Sequence, residues 1–244
     1  MNKKILLFMQ YYKHPNNNLR QMELDTCLKI NCNNPFIDKI ILLNEKIYDI
    51  DIMKHTKIKQ VDISKRLRYN DVFIYCDKYC EKDDIKILTN TDIILSYTDI
   101  QYLKFCDLNN NVFALVRYEL IPPKNIINNT FLFNDIKDEW IRDNNNCKTS
   151  QDVWIFNDIK PNEIYNFNLG IMGCDNHIAY LLDKNNYNVE NISKSIKTYH
   201  LHNHSLKSHE NRKKRNYKPF SGKGYKFLWP VINEEIENLK SKNL

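Results

Sequence analysis

Glycine is nearly absent, with 4 residues in 244, and proline is sparse at 7. That scarcity excludes collagen-like and low-complexity classes. It also marks each glycine as a place where the backbone adopts φ > 0 or approaches a neighbour closely. No apolar run approaches the roughly 18 residues needed to cross a bilayer. The opening run Ile5 to Met9 is too short for a secretory signal and leads straight into polar Gln10, Tyr11 and Tyr12. Paired CxxC spacing is missing as well. The 7 cysteines (Cys27, Cys32, Cys76, Cys80, Cys106, Cys147 and Cys174) are odd in number and scattered, which excludes a disulfide scaffold and predicts reduced thiols in the cytoplasm.

What is present is an ordinary globular composition, 42% hydrophobic and 12% aromatic, enough for one large domain with a full core. The net charge is +6, and residues 207 to 226 alone carry eight Lys/Arg against the single acid Glu210. The remainder is close to neutral, so the surface as a whole does not fit a nucleic-acid coat. That basic segment suits a diphosphate, an anionic membrane, a nucleic-acid backbone, or simply solvent.

Buried-strand runs at Ile5 to Met9, Ile37 to Leu43, Ile58 to Ile63, Ile85 to Leu88, Val112 to Val116, Val153 to Phe156 and Ile196 to Leu201 alternate with helical patterns. The helices are predicted over 19 to 31, 67 to 79, 99 to 106, from about Asp175 through Leu182, and over 232 to 239. Strand, helix, strand in this order predicts a three-layer α/β domain. No linker or internal repeat interrupts it, so residues 1 to 244 are read as one domain.

Four segments concentrate groups able to do chemistry. Asn90 and Asp92 stand two apart directly after a buried strand, where open α/β sheets gather ligands. Two oxygen ligands there suit Mg²⁺ or Mn²⁺ carrying substrate phosphates; the alternative is an Asx turn at a strand end. His200, His202 and His204 alternate along a strand and so share a face, which suits a metal site. Two of the four glycines, Gly170 and Gly173, precede Asp175 at a helix start, where the carboxylate either caps the helix or serves as a base. Asp152 lies at a similar polar-to-apolar switch, for which a turn before a strand is the alternative.

Taken in order, the first strand with Gln10-Tyr11, Leu88 to Asp92, Leu115 to Glu119, Ser150 to Phe156, Leu169 to Asn176 and Lys197 to His202 resemble nucleotide-sugar glycosyltransferases of the GT-A fold. More narrowly, they resemble a viral and bacterial group that includes a chlorovirus rhamnosyltransferase domain. The resemblance implies a single α/β domain with a central, mostly parallel mixed sheet flanked by helices. Residues 1 to 118 would bind nucleotide-sugar, 119 to 205 would hold the acceptor and catalytic groups, and 206 to 244 would follow as a basic segment and helix. It further implies a divalent metal, Mn²⁺ or Mg²⁺, on Asp92 with His200 or His202. Asn90 replaces the first aspartate of the DxD motif. Donor contacts fall on Gln10, Tyr11, Arg66, Arg68, Tyr69, Asn90, Asp92, Arg117 and Lys207, and acceptor activation on Asp175, with Asp152 second. The implied partners are a nucleotide-sugar donor, with UDP as the expected nucleotide, and a glycan acceptor, with no nucleic acid and no membrane-spanning segment. Two other classes stay open: a non-enzymatic nucleic-acid or anionic-surface binder built on the basic segment, and a metal-dependent phosphoesterase.

Overall fold

The computed structural model describes residues 3–123, 131–143, 148–201 and 224–242. His202, His204, Lys207 and nearly all of the basic segment lie outside the described residues.

The five residues of β1 (Ile5–Met9) are all buried, as an uninterrupted apolar run in a sheet covered on both faces should be. The chain then forms α1 (Asn18–Asn33), β2 (Lys39–Asn44), β3 (Ile58–Asp62), α2 (Tyr69–Tyr79) and β4 (Ile85–Thr89). It continues through β5 (Ile93–Leu95), α3 (Tyr97–Ile100), β6 (Asn111–Val116), β7 (Tyr118–Leu120), β8 (Ile141–Arg142) and β9 (Gln151–Phe156). It closes with α4 (Cys174–Lys184), β10 (Asn188–Glu190), β11 (Thr198–Leu201) and α5 (Glu234–Ser241). The helix expected over 99 to 106 divides into α3 and a 3₁₀ stretch, Gln101–Phe105. The short strands β5, β7, β8 and β10 are additions to the sequence reading.

A seven-stranded sheet has the order β10-β6-β9-β4-β1-β2-β3. Its pairs are parallel except where β9 runs antiparallel between β4 and β6. The expected α/β fold, a mostly parallel mixed sheet flanked by helices, is therefore what the chain forms. Period-two alternation sends Ile5, Leu7 and Met9 to one face, with Leu28 and Cys32 of α1 and Ile236 of α5. Leu6 and Phe8 face the other way, toward Val72 and Phe73 of α2 and Ile178 and Leu182 of α4. A second sheet, β5-β11-β7-β8, covers the far side of α1 through Ile94, Tyr118, Leu120, Tyr199 and Leu201, against Cys27 and Ile30.

Strands β2 and β3 extend the sheet to one side of β1, and the chain then returns to lay β4 on the other. The connections thus diverge between β1 and β4, and the carboxyl ends of that pair open a crevice of the kind that binds ligands in such sheets. Both sheets contribute to it, because β5 and β11 of the small sheet pair beside the end of β4.

Candidate active site

Seven titratable side chains and one amide converge on this crevice. Asn90 and Asp92 follow β4 directly. Neither forms the local Asx turn that was the alternative, because both side chains bond to distant elements. Asn90 Nδ2 donates to Asp152 Oδ1 at 2.6 Å, and Asp92 Oδ2 accepts from Arg20 Nη2 at 2.5 Å. The same Asp92 oxygen lies 3.2 Å from His200 Nε2. The other ring nitrogen of His200 lies 2.7 Å from Glu119 Oε2.

Arg117 joins the two halves of the cluster. Its guanidinium pairs with Glu119 at 3.1 Å, reaches Ser150 Oγ at 2.6 Å, and makes a very short ion pair with Asp152. Asp152 is aimed there by a local irregularity. Leu115 pairs with Val153 and Val116 with Gln151, so Asp152 is the extra residue of a β-bulge on β9. Bulges of this kind re-aim a side chain beside functional sites. The antiparallel direction of β9 brings its first residues to the edge where β4 and β6 end. The expected turn before a strand is thus the bulged start of the strand itself.

These side chains are mostly sequestered: 13% exposed for Asp92, 16% for His200, 11% for Asp152 and 20% for Arg117. Burial pushes Asp92 upward, but His200 and Arg20 outweigh it and hold the carboxyl well below the ordinary range. Burial alone would depress His200, yet Asp92 and Glu119 raise it to about 10. Glu119, raised by burial, is brought down to about 2 by His200 and then Arg117.

Asp175 behaves in the opposite way. It stands in the first turn of α4, whose N-cap is Gly173 at φ 83°, so the carboxylate does not cap the helix. Its Oδ1 instead lies 3.4 Å from the Tyr69 hydroxyl and 3.3 Å from Cys174 Sγ. Burial first, and the neighbouring charge of Asp152 second, raise Asp175 to about 7. Asp152 is also raised, by burial and by Asp92, against the pull of Arg117. Because Asp152 has a permanent cation partner and Asp175 has neutral donors, Asp175 is the member of the pair that carries a proton near neutrality.

The residues expected at the donor base are arranged differently from the sequence reading. Gln10 is fully engaged: its amide donates to the carbonyls of Leu43 and Lys65 at 3.1 and 3.0 Å and accepts from the Leu67 amide at 3.1 Å. It pins the β3–α2 loop to the end of β1 and so shapes the crevice wall. Tyr11 is buried in the core rather than facing the crevice, with its hydroxyl donating to Asp25 at 2.7 Å and its ring edge-on to Tyr48. Tyr69 is likewise buried, packed on Trp154 and Phe167, and reaches the site through its hydroxyl alone. Arg66 donates to the carbonyl of Leu169 at 2.8 Å, and Arg68 to Asn166 Oδ1 at 2.9 Å. Both therefore tie their loop to the segment ahead of α4. Arg20, Glu119 and Ser150 complete the cluster without having been singled out as site residues. His202 and Lys207 lie outside the described residues.

His200, raised to about 10, is a protonated imidazolium between Asp92 and Glu119, so a divalent cation could take its Nε2 only by displacing that proton. Two ligand atoms at adjacent positions of an octahedral ion with bonds of about 2.1 Å stand about 3 Å apart, close to the Asp92–His200 separation. Glu119 on the second imidazole nitrogen is the outer partner that orients metal-bound histidines. Among the described residues no group of three or more His, Cys, Asp or Glu is placed to hold a metal. A cation there would take one carboxylate and one imidazole from these residues.

No protein-family model matches the chain, and no curated protein matches it. Among solved structures it is similar to 4-diphosphocytidyl-2C-methyl-D-erythritol synthase from Anaerococcus prevotii, at 14% identity over 64% of this chain and 70% of that one, with a TM-score of 0.36. It is similar to the apo form of the glycosyltransferase GlyE from Streptococcus pneumoniae, at 14% identity over 79% of this chain, with a TM-score of 0.38, and it spans only 46% of that chain's length. A Bacillus anthracis protein provisionally assigned as a glucose-1-phosphate thymidylyltransferase is similar at 10% identity over 88% of this chain and 96% of the other, with a TM-score of 0.40.

Proposed function

We propose that this chain transfers a sugar from a nucleoside-diphosphate sugar to a hydroxyl acceptor, as a GT-A-type glycosyltransferase. One observation carries the reading. At the switch point of an α/β sheet, an ion-paired carboxylate and imidazole, Asp92 and His200, share a crevice with a carboxyl group, Asp175, whose proton affinity is poised near neutrality.

Sugar transfer leaves an oxocarbenium-like centre and a departing diphosphate, so the site has to neutralise one charge and create a nucleophile at the other. Neutralisation of the diphosphate is the chemistry that a divalent cation would supply there, with Asp92 and, once its extra proton is lost, His200 as the residues to hold it. Glu119 fixes the imidazole, and Arg117 fixes Glu119 and Asp152 together. Asp152 has one oxygen on Asn90 and the other on Arg117. It therefore serves as a fixed charge rather than as a base. Asp175 is held only by weak neutral donors and can take the acceptor's proton, which favours it over Asp152. Among the described residues no helix is long and apolar enough to cross a membrane.

The test is a panel of nucleotide-sugars, UDP-linked ones first, scored by thermal shift and slow donor hydrolysis with and without Mn²⁺. A bound donor raises the melting temperature by mass action. Stabilisation that needs both partners and disappears in Asp92→Ala is the expected result. Equal nucleotide affinity with and without metal would remove the metal from the scheme. Steep salt-dependent DNA binding with no nucleotide-sugar binding would favour the anionic-surface binder instead.

A further inference from the structure

The stretch ahead of α5 lies outside the charged cluster, yet it borders it. From Tyr225 to Val231 the side chains alternate as they do in a strand. Leu228 and Pro230 are buried and Lys226 is held by Asp183 at 2.5 Å, while Tyr225, Phe227 and Trp229 stand 46%, 52% and 58% exposed. Three large rings turned to one side of so short a stretch form an apolar surface of the kind that marks a binding site.

Two contacts tie this row to the crevice. Tyr225 Cε1 lies 3.3 Å from where a Cβ on Gly173 would stand, so a side chain on that residue, two positions ahead of Asp175, would crowd the ring. Further along, the Lys148 ammonium lies over the rings of both Phe227 and Trp229, 5.1 and 4.7 Å from their centroids. Lys148 stands two positions ahead of Ser150, which Arg117 holds in the cluster. The backbone is pinned as well: the Lys226 amide donates to the Asn176 carbonyl at 2.9 Å, Leu228 to that of Lys148 at 3.3 Å, and Val231 to that of Asn191 at 2.8 Å. The rings are thus presented on a fixed edge, which lowers the ordering cost of binding to them.

Charge narrows the choice of ligand. Of the two lysines at this row, Lys226 is neutralised by Asp183, which leaves the single ammonium of Lys148. Just beyond the row, the first turn of α5 carries Glu234, Glu235 and Glu237. A phosphate backbone or an anionic bilayer laid along this edge would run into those acids. The ligand that suits it is uncharged, with flat C–H faces for the rings and hydroxyls for the ammonium. A pyranose has both, since its C–H bonds meet the electron-rich aromatic face while its hydroxyl rim stays free to hydrogen-bond.

We propose that Tyr225, Phe227 and Trp229, with Lys148, form a carbohydrate-binding edge, and that this edge holds the sugar units of a glycan acceptor next to the unit delivered to Asp175. The acceptor role rests on the transferase reading. Carbohydrate binding by the edge does not.

The experiment applies the full chain to an array of neutral and acidic oligosaccharides and then titrates the strongest ligand by calorimetry and tryptophan fluorescence. Trp140 and Trp154 are buried, so a fluorescence change reports on Trp229. The parent is expected to bind, and Trp229→Ala and Phe227→Ala to bind at least tenfold more weakly, with Trp229→Phe in between. Phe105→Ala removes an equally exposed ring away from the edge and should match the parent. Binding to no oligosaccharide by the folded parent would overturn the inference, and so would an equal loss in Phe105→Ala, which would reveal indiscriminate apolar capture. Sedimentation with phosphatidylserine vesicles that is lost in Trp229→Ala, with no oligosaccharide bound, would make the row a lipid contact instead. If Trp229→Ala melts early, Phe227→Ala decides by the same criteria. Once a donor is found, Trp229→Ala should raise the acceptor KM at least tenfold, and an unchanged KM would detach the edge from the reaction. Oligosaccharide binding without nucleotide-sugar binding leaves the edge standing and removes the transferase; nucleotide-sugar binding without oligosaccharide binding does the reverse.

Discussion

Asn90 and Asp152 face each other across the antiparallel β4–β9 pair, amide to carboxylate at 2.6 Å. The contact accounts for an amide at the first position of the Asn90-Thr91-Asp92 motif. A carboxylate there would set two negative groups at hydrogen-bond distance in a half-buried crevice.

Asn90→Asp is therefore expected to cost about 1–3 kcal/mol of stability, the usual range for a buried polar group deprived of its partner. Chemical denaturation of the variant beside the parent checks this. Unchanged stability would mean that Asp152 can turn away from the β9 bulge.

Asp175→Asn should leave the fold and donor binding intact, because the helix cap is Gly173 and the diphosphate contacts lie elsewhere. Transfer should fall by something on the order of 10²- to 10⁴-fold, the range of a general base. Donor affinity measured beside turnover separates this from structural damage, which would lower both.

The pH dependence of Asp175 has opposite signs for activity and for stability. Its folded pKa, about 7, lies above the unfolded value near 3.9. The native state therefore holds the extra proton between those limits, and this contribution to stability, complete below about pH 4, is lost as pH rises through 7. Activity runs the other way: log(kcat/KM) should climb with unit slope below pH 7 and level off above it. At pH 8 Asp175→Asn should melt higher than the parent, by about 2–4 °C for each kcal/mol gained, and at pH 4 the two should nearly coincide. A parent profile that stays flat from pH 5 to 8 would remove Asp175 as the base.

Glu119→Gln preserves a hydrogen bond to His200 but removes the charge behind it. Loss of such an outer partner typically weakens metal binding by about 10- to 100-fold. Mn²⁺ titration in the presence of UDP reads the change, and an unaltered affinity would detach Glu119 from the metal pair.

Much of the architecture was legible because the strands of the large sheet are covered on both faces and so appear as unbroken apolar runs, as in Ile5 to Met9 and Val112 to Val116. The short strands Tyr118–Leu120 and Asn188–Glu190 offer no such run and escaped notice. In the crevice, Asn90, Asp92 and Asp152 are legible as polar groups beside apolar runs, Asp175 as an acid at a glycine-marked helix start and His200 by alternation along a strand, whereas Arg117 enters only through the family resemblance. Arg20 was not legible, since its partner Asp92 is 72 positions away and only the tertiary fold brings them together. The one local clue was an arginine where a helix start prefers an acid. The resemblance implies donor contacts at Tyr11 and Tyr69, yet both rings are buried and only their hydroxyls find polar partners. A tyrosine satisfies core and polar demands at opposite ends, so sequence position alone does not tell which end faces outward.

The place of β9 between β4 and β6 also bears on the order in which the chain is made. As the polypeptide leaves the ribosome, β1 to β4 can pair among themselves, but one edge of β4 has no neighbour until residue 156 has emerged. During that interval a strand with three apolar residues of five presents open backbone groups, the kind of edge that recruits other chains. His200, the partner of Asp92, arrives later still. A newborn chain therefore carries its stickiest surface before it carries a working crevice, and crowding or slowed translation between residues 90 and 156 is where its yield is most exposed to loss.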